Sequence, residues 1–235
     1  MIYNVSRETF GGAIRMGDMI AAANIVEHLR KVGSAPQIKF HFTPGTINTT
    51  QYCHDFHDWL IANTDYFVVD SGHENLPWRR VNIWDYRDIS GDLVQIKNTH
   101  ETEKKIVVCP LFDAPYNTYR NWPETVFNSI IAQCNEKYAG LEKILCVGPN
   151  IQINNIPGWK ISTDLNETLT HIMQSQVYIG GDTGLSHFAG ALARGPEPIY
   201  WTSSRGLLHT TPINWYTNKK GTLRTYWLNF ENTEW

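Results

Sequence analysis

The 235-residue sequence has little charge, few cysteines and no long apolar run. Asp, Glu, Lys and Arg make up 18% of it, and 20 basic against 23 acidic residues leave a formal charge of −3. That balance excludes a global attraction to nucleic acid or to an anionic membrane, while leaving room for a local basic patch. No apolar stretch approaches the ~18 residues that mark a membrane-spanning helix. The opening Met1-Ile2-Tyr3-Asn4-Val5 lacks the basic-then-apolar order of a signal peptide. A cytoplasmic protein is therefore expected, of a bacterium or a virus-infected host, with no integral membrane segment and at most a peripheral visit to the inner membrane. Cys53, Cys109, Cys134 and Cys146 include no CxxC pair, and Cys109 and Cys146 lie in apolar runs, which reads as buried thiols. No Asp-x-Asp element and no fixed-period repeat occurs.

Aromatic residues are plentiful by contrast, at 12% with nine Trp. Flat rings suit a packed core and equally a sugar or base platform, and composition leaves both open. Along the chain, short apolar runs alternate with helix-length segments. In the first half, residues 2–5 read as a strand, followed by a loop carrying Gly11 and Gly12. A helix is expected over 18–31, with Ile20, Ala23, Ile25, Val26 and Leu29 apolar and Gly33 ending it. A strand over 37–42, a helix over 51–62 and a strand over 66–69 continue the alternation. The polar stretch 88–103 is the expected linker between an N-terminal domain, 1–98, and a C-terminal one, 99–235.

The second half predicts strands over 105–110, 143–148, 177–180 and 198–201. Its helices fall over 123–134, with Pro123 in the first turn, over 165–174, with Asp164 as cap, and over 184–193. Strands separated by helix-length segments imply βαβ crossovers and a parallel sheet. The tail 214–230 reads as a hairpin or a closing helix.

The most informative segment is Val177-Tyr178-Ile179-Gly180-Gly181-Asp182-Thr183-Gly184-Leu185-Ser186-His187. Glycines and small polar residues stand where a buried strand turns into a helix, which is an anion site in physical terms. Glycine lets a phosphate approach the backbone, and the helix start offers unpaired N–H groups and partial positive charge. Thr183, Ser186 and His187 add side-chain donors. A plain helix cap by Asp182 or Thr183, with His187 packed on the sheet, fits the same pattern.

Asp182-Thr183-Gly184-Leu185-Ser186-His187 followed by Phe188-Ala189-Gly190-Ala191-Leu192 resembles the signature of glycosyltransferase family 9, the lipopolysaccharide heptosyltransferases. Two further segments resemble that family in the same order: Arg15-Met16-Gly17-Asp18, and Arg120-Asn121-Trp122-Pro123-Glu124. The resemblance implies an α/β, GT-B-like fold, with two Rossmann-like domains whose parallel sheets face across a cleft. It implies a donor-diphosphate site at Arg120, Asp182, Thr183, Gly184, Leu185, Ser186 and His187, and a general base at Asp18. Gly17, Arg15, Trp122, Gly148 and Arg205 are the further candidate contacts to donor or acceptor. The chain departs from the family in being shorter. Pro149-Asn150 also stands where an acidic ribose ligand would be, and Trp201-Thr202 where a Gly-Pro-type loop would be.

The activity implied is transfer of a sugar from a nucleotide-diphosphate sugar to an acceptor hydroxyl, with inversion, no resident cofactor and no metal. Asp18 would take the acceptor proton, and Arg120 with the 181–187 loop would stabilise the leaving diphosphate. The acceptor is a surface glycan or a hydroxymethylated DNA base, as for a phage-type DNA glycosyltransferase. A nucleotide-sugar epimerase and a non-catalytic nucleotide-sugar-binding module are the alternatives. The cluster Cys53-His54-Asp55-Phe56-His57-Asp58 reads as a wet helix face rather than a metal site. Trp78-Arg79-Arg80, Lys219, Lys220 and Arg224 read as solvated charge, and Trp215, Tyr216, Tyr226 and Trp227 as sheet packing.

Overall fold

The computed structural model describes residues 2–5, 13–33, 37–43, 45–69, 96–112, 120–203 and 225–229. The chain divides into two compact units, Met1–Lys97 and Asn98–Trp235. The expected loop glycines Gly11 and Gly12 lie outside the described residues.

In the first unit, β1 (Ile2–Val5) and β2 (Lys39–Phe42) pair in parallel, with Ile2 opposite Lys39 and Val5 opposite Phe42. The crossover between them contains α1 (Met16–Val32). Every residue of α1 from 19 to 26 is buried, so this helix has no wet face over two turns, and the small side chains of Ala21, Ala22 and Ala23 allow that. Gly33 ends it, its N–H donating to the Leu29 carbonyl at 2.9 Å. Arg30, near the end of α1, donates from Nε to the Ile38 carbonyl and from Nη1 to Asp65 Oδ1, both at 3.0 Å. Its guanidinium also lies 5.1 Å from the centre of the Tyr66 ring, so one side chain joins the ends of three segments.

The next helix, α2 (Gln51–Asn63), buries Cys53, Phe56 and Leu60 along one stripe, and His54, Asp55 and Asp58 fall off it. The strand expected over 66–69 is reduced to a single parallel bridge between Phe40 and Phe67. Val69, the last residue described before 96, is 60% exposed.

The second unit is built on one parallel sheet. Its strands are β3 (Lys105–Cys109), β4 (Glu142–Cys146), β5 (Trp159–Ser162), β6 (Val177–Gly181), β7 (Ile199–Ser203) and β8 (Thr225–Asn229). They lie in the order β5-β4-β3-β6-β7-β8, and every neighbouring pair is parallel. The helices are α3 (Glu124–Lys137), α4 (Leu165–Gln174) and α5 (Gly184–Ala191). This is the doubly wound arrangement, in which the strand order reverses between β3 and β6.

Strand β3 is buried from end to end, as a central parallel strand covered on both faces must be. Its side chains alternate. Ile106 and Val108 join Leu145, Val177, Ile179 and the α3 residues Val126, Ile130 and Cys134 in one core. Cys109, by the same alternation, lies on the opposite face.

Three expectations need correction. Strand β5 has no counterpart in the sequence reading, because it is four residues long and only Trp159 and Ser162 at its ends are buried. The tail is a strand rather than a helix at 225–229; β8 adds to β7 in parallel, with Trp201 opposite Trp227. The division between the units falls between Lys97 and Asn98, inside the polar stretch 88–103. Asn98 is buried, and its Nδ2 donates to the carbonyls of Met173 at 2.6 Å and Arg194 at 2.5 Å. Pro123 also sits one place earlier than expected, at the N-cap of α3.

Helix α4 buries Leu165, Thr168, Leu169, Ile172 and Met173, the i, i+3, i+4, i+7, i+8 stripe of an amphipathic helix. Asp164 caps it, Oδ1 accepting the Glu167 N–H at 2.9 Å. Asp164→Ala should lower the unfolding free energy by about 1 kcal/mol through loss of that cap. A urea titration with an unchanged m-value checks it.

Candidate functional site

Where strand order reverses, the connections after β3 and β6 leave in opposite directions and open a crevice at the carboxyl ends of the strands. Gly181 is the last residue of β6, Asp182 and Thr183 make the turn, and Gly184 starts α5. Thr183 is the N-cap, and its carbonyl accepts the Ser186 N–H at 3.1 Å and the His187 N–H at 3.3 Å. The N–H groups of Gly184 and Leu185 have no preceding helical carbonyl to receive them, so they and the α5 dipole face outward.

Two adjacent glycines make this turn possible, each on its own face of the sheet. A Cβ on Gly180 would collide with the Tyr178 hydroxyl and come within 2.6 Å of Ser186 Oγ. A Cβ on Gly181 would stand 3.0 Å from Leu111 Cβ and 3.2 Å from Trp122 Nε1. Position 180 therefore gives room to a buried hydroxyl pair, and position 181 to the segment that follows β3.

Arg120 and Trp122 precede α3 and come to the same place. Arg120 Nε lies 3.1 Å from Asp182 Oδ2, and Nη1 donates to the Asp182 carbonyl at 3.4 Å. Asp182 is 3% exposed. Burial pushes its carboxyl above the usual range, and the charge of Arg120 and the indole of Trp201 act against that push. Trp122 is 4% exposed and anchored by its N–H to the Leu111 carbonyl at 2.7 Å. Its indole Nε1 and the Thr183 hydroxyl are buried with no hydrogen-bond partner. Buried donors without acceptors cost about 1–3 kcal/mol each and are uncommon in folded proteins. Two of them flank the same turn.

The predicted site residues separate into distinct roles. Arg120, Trp122, Asp182, Thr183 and Gly184 come together at the crevice. Ser186 does not face it: it is fully buried, and its Oγ donates to the Gly181 carbonyl at 2.6 Å. His187 packs edge-on against Trp201, ring centres 4.9 Å apart. It keeps some surface, but its ring lies in dense surroundings. That desolvation, followed by the Arg120 charge, holds its pKa at about 3, so it is a neutral imidazole at physiological pH. Leu185 is half-buried in the first turn of α5. Gly148 is exposed just beyond β4, where its carbonyl accepts the Ile151 N–H at 3.0 Å.

In the first unit, Arg15 precedes α1, Gly17 is its second residue and Asp18 its third. Asp18 Oδ2 accepts the Arg15 backbone N–H at 3.0 Å, which ties the third residue of the helix back to its N-cap. Arg205, Trp78, Arg79, Arg80, Trp215, Tyr216, Lys219, Lys220 and Arg224 lie outside the described residues, and Tyr226 and Trp227 fall on β8.

Sequence reasoning missed Trp201 as the neighbour of Asp182 and His187, and Tyr178 as the partner of Ser186. The signal for Tyr178 was its spacing two residues before Gly180, on the same face of one strand.

No protein-family model and no curated protein sequence matches the chain. Solved structures do. It is similar to the ADP-heptose lipopolysaccharide heptosyltransferase II of E. coli, with 11% identity and a TM-score of 0.53, covering 97% of this chain and 90% of that one. It is similar to the E. coli heptosyltransferase WaaC with ADP, with 12% identity and a TM-score of 0.51 over 100% of this chain and 93% of that one. The iron-containing dodecameric glycosyltransferase TibC of enterotoxigenic E. coli matches with 14% identity and a TM-score of 0.54. There the likeness covers 96% of this chain but 61% of TibC. The fold is thus α/β with parallel sheets, and its structural neighbours are GT-B glycosyltransferases. Among the described residues, no helix is long and apolar enough to cross a membrane.

The His187 environment has a consequence for stability. A folded pKa of about 3 lies below the ordinary histidine value of 6.5. Above that ordinary value both states are neutral. As pH falls through it, the unfolded chain takes up a proton that the folded chain refuses, and stability is lost down to about pH 3. His187→Gln should remove this loss, worth about 2 kcal/mol between pH 6.5 and 5. Urea unfolding of both proteins at pH 7.5 and 5 measures the difference in slope.

Proposed function

We propose that this chain is a glycosyltransferase that moves a sugar from a nucleotide-diphosphate sugar to an acceptor hydroxyl. One observation carries the reading. The turn at the strand-order reversal combines outward N–H groups, the Arg120 guanidinium and two unpartnered buried donors, Trp122 Nε1 and Thr183 Oγ1. Such a set of donors suits the oxygens of a diphosphate. It stabilises the charge that grows as the bond to the anomeric carbon breaks. The fold shared with heptosyltransferases, one of them holding ADP, supports the same reading.

In this mechanism the acceptor hydroxyl attacks from the face opposite the diphosphate and the product is inverted. Asp18 takes the hydroxyl proton as the new bond forms. Neutral His187 holds its ring beside Trp201 and adds no charge to the donor site. The acceptor is a surface glycan or a hydroxymethylated DNA base. Binding to duplex DNA that weakens with salt would select the second.

The experiment is a thermal-shift panel of UDP-, GDP- and ADP-sugars, followed by turnover assays with the sugar that stabilises the protein. Asp18→Asn is the informative variant, because an amide oxygen still accepts the Arg15 N–H but cannot take a proton. Donor binding should persist and transfer should fall by at least about 10²-fold. Transfer at wild-type rate would remove Asp18 as the base. Turnover of the donor without any acceptor would instead favour the epimerase.

A further inference from the structure

Ser186 resembles a ligand residue in sequence, yet its hydroxyl is spent inside the protein. It has one proton, and that proton goes to the Gly181 carbonyl at 2.6 Å. The Tyr178 hydroxyl, 3.0 Å from Ser186 Oγ, must then be the donor of the second bond. Tyr178 and Ser186 are both fully buried, and the missing Cβ of Gly180 is what lets the tyrosine ring lie over the strand and reach the serine. Behind them, on the same face of the sheet, lie the buried thiols of Cys109 and Cys146. The hydrogen-bonded pair thus runs from β6 to the first turn of α5, and it ends on the carbonyl of Gly181.

That carbonyl belongs to the peptide joining Gly181 to Asp182. In a trans peptide, C=O and N–H point in opposite directions. Drawing the carbonyl toward α5 turns the Asp182 N–H the other way. The hydroxyl pair therefore adds a side-chain bond to the last peptide of β6, where the ladder with β7 ends opposite Thr202 and the turn begins.

We propose that Tyr178 and Ser186 are positioning residues for diphosphate binding, locking the Gly181–Asp182 peptide without touching the ligand. Ser186 fixes the carbonyl directly. Tyr178 occupies the serine oxygen and so selects the rotamer that donates to Gly181, rather than to a carbonyl of its own helix. The inference rests on the diphosphate reading given under Proposed function.

The test is calorimetric titration of inorganic pyrophosphate, UDP, GDP and ADP into wild type, Tyr178→Phe, Ser186→Ala and the double variant. It is run at 25 °C, with urea unfolding used to show that each is folded. Ser186→Ala should weaken the tightest of these ligands by about ten-fold and Tyr178→Phe by about three-fold, with the double variant no weaker than Ser186→Ala, because both act through one bond. Asp164→Ala, which loosens α4 away from the turn, should bind as wild type does. Binding by Ser186→Ala or, if it does not fold, by Tyr178→Phe at wild-type strength overturns the assignment. So does additive loss in the double variant, or equal loss in Asp164→Ala. Wild-type protein that binds none of the four overturns the glycosyltransferase reading as well, which separates the two failures.

Discussion

Two residues without side chains at the end of β6 are what the second unit's site depends on. Gly180 and Gly181 point to opposite faces of the sheet, and each leaves a space that another segment fills. On one face the space holds the hydroxyls of Tyr178 and Ser186. On the other it admits Leu111 and Trp122, brought there by the chain that leaves β3. A Cβ at Gly180 would separate what the turn joins, and one at Gly181 would press on Leu111 and Trp122. The strand-order reversal between β3 and β6 makes a crevice in any doubly wound sheet; the paired glycines decide what lines this one.

The polar groups gathered there are arranged at a cost to stability. Asp182 is buried as a carboxylate beside Arg120, and burial raises its pKa in spite of that partner. Trp122 and Thr183 each keep a donor from water without an acceptor. A core that served stability alone would use apolar groups of similar shape at these positions. Such costs collect at sites where the missing partner is a ligand, and here they collect at the start of one helix.

Much of this was legible in the sequence. The buried runs around Val107, Ile144 and Ile179 and the stripe from Leu165 to Met173 announce strands and helix by their period, and Asp164 caps where its position predicts. The turn at Asp182 and the approach of Arg120 follow from the order of motifs that resemble the heptosyltransferases. What was not legible depends on contacts between distant residues. Strand β5 is too short and too wet at Lys160 and Ile161 to signal itself, and β8 gains its pairing only because β7 offers a parallel edge. Nothing in the polar stretch near residue 98 announces that Asn98 donates to two carbonyls far along the chain.

The segment from Asp182 to His187 shows why a motif overstates its ligand residues. Five polar or small residues out of six invite the reading that all of them touch the bound group. The geometry of a strand turning into a helix does not allow it, because successive residues leave the turn in different directions. Asp182 turns inward to Arg120, Ser186 inward to Gly181, and His187 sideways to Trp201. Thr183 and the N–H groups at the start of α5 remain directed at the crevice. In the proposed reading the side chains that point inward would bear on binding through the peptide planes they hold. A diphosphate at this turn would then be held chiefly by backbone, with Arg120 the one full positive charge in the set assembled there.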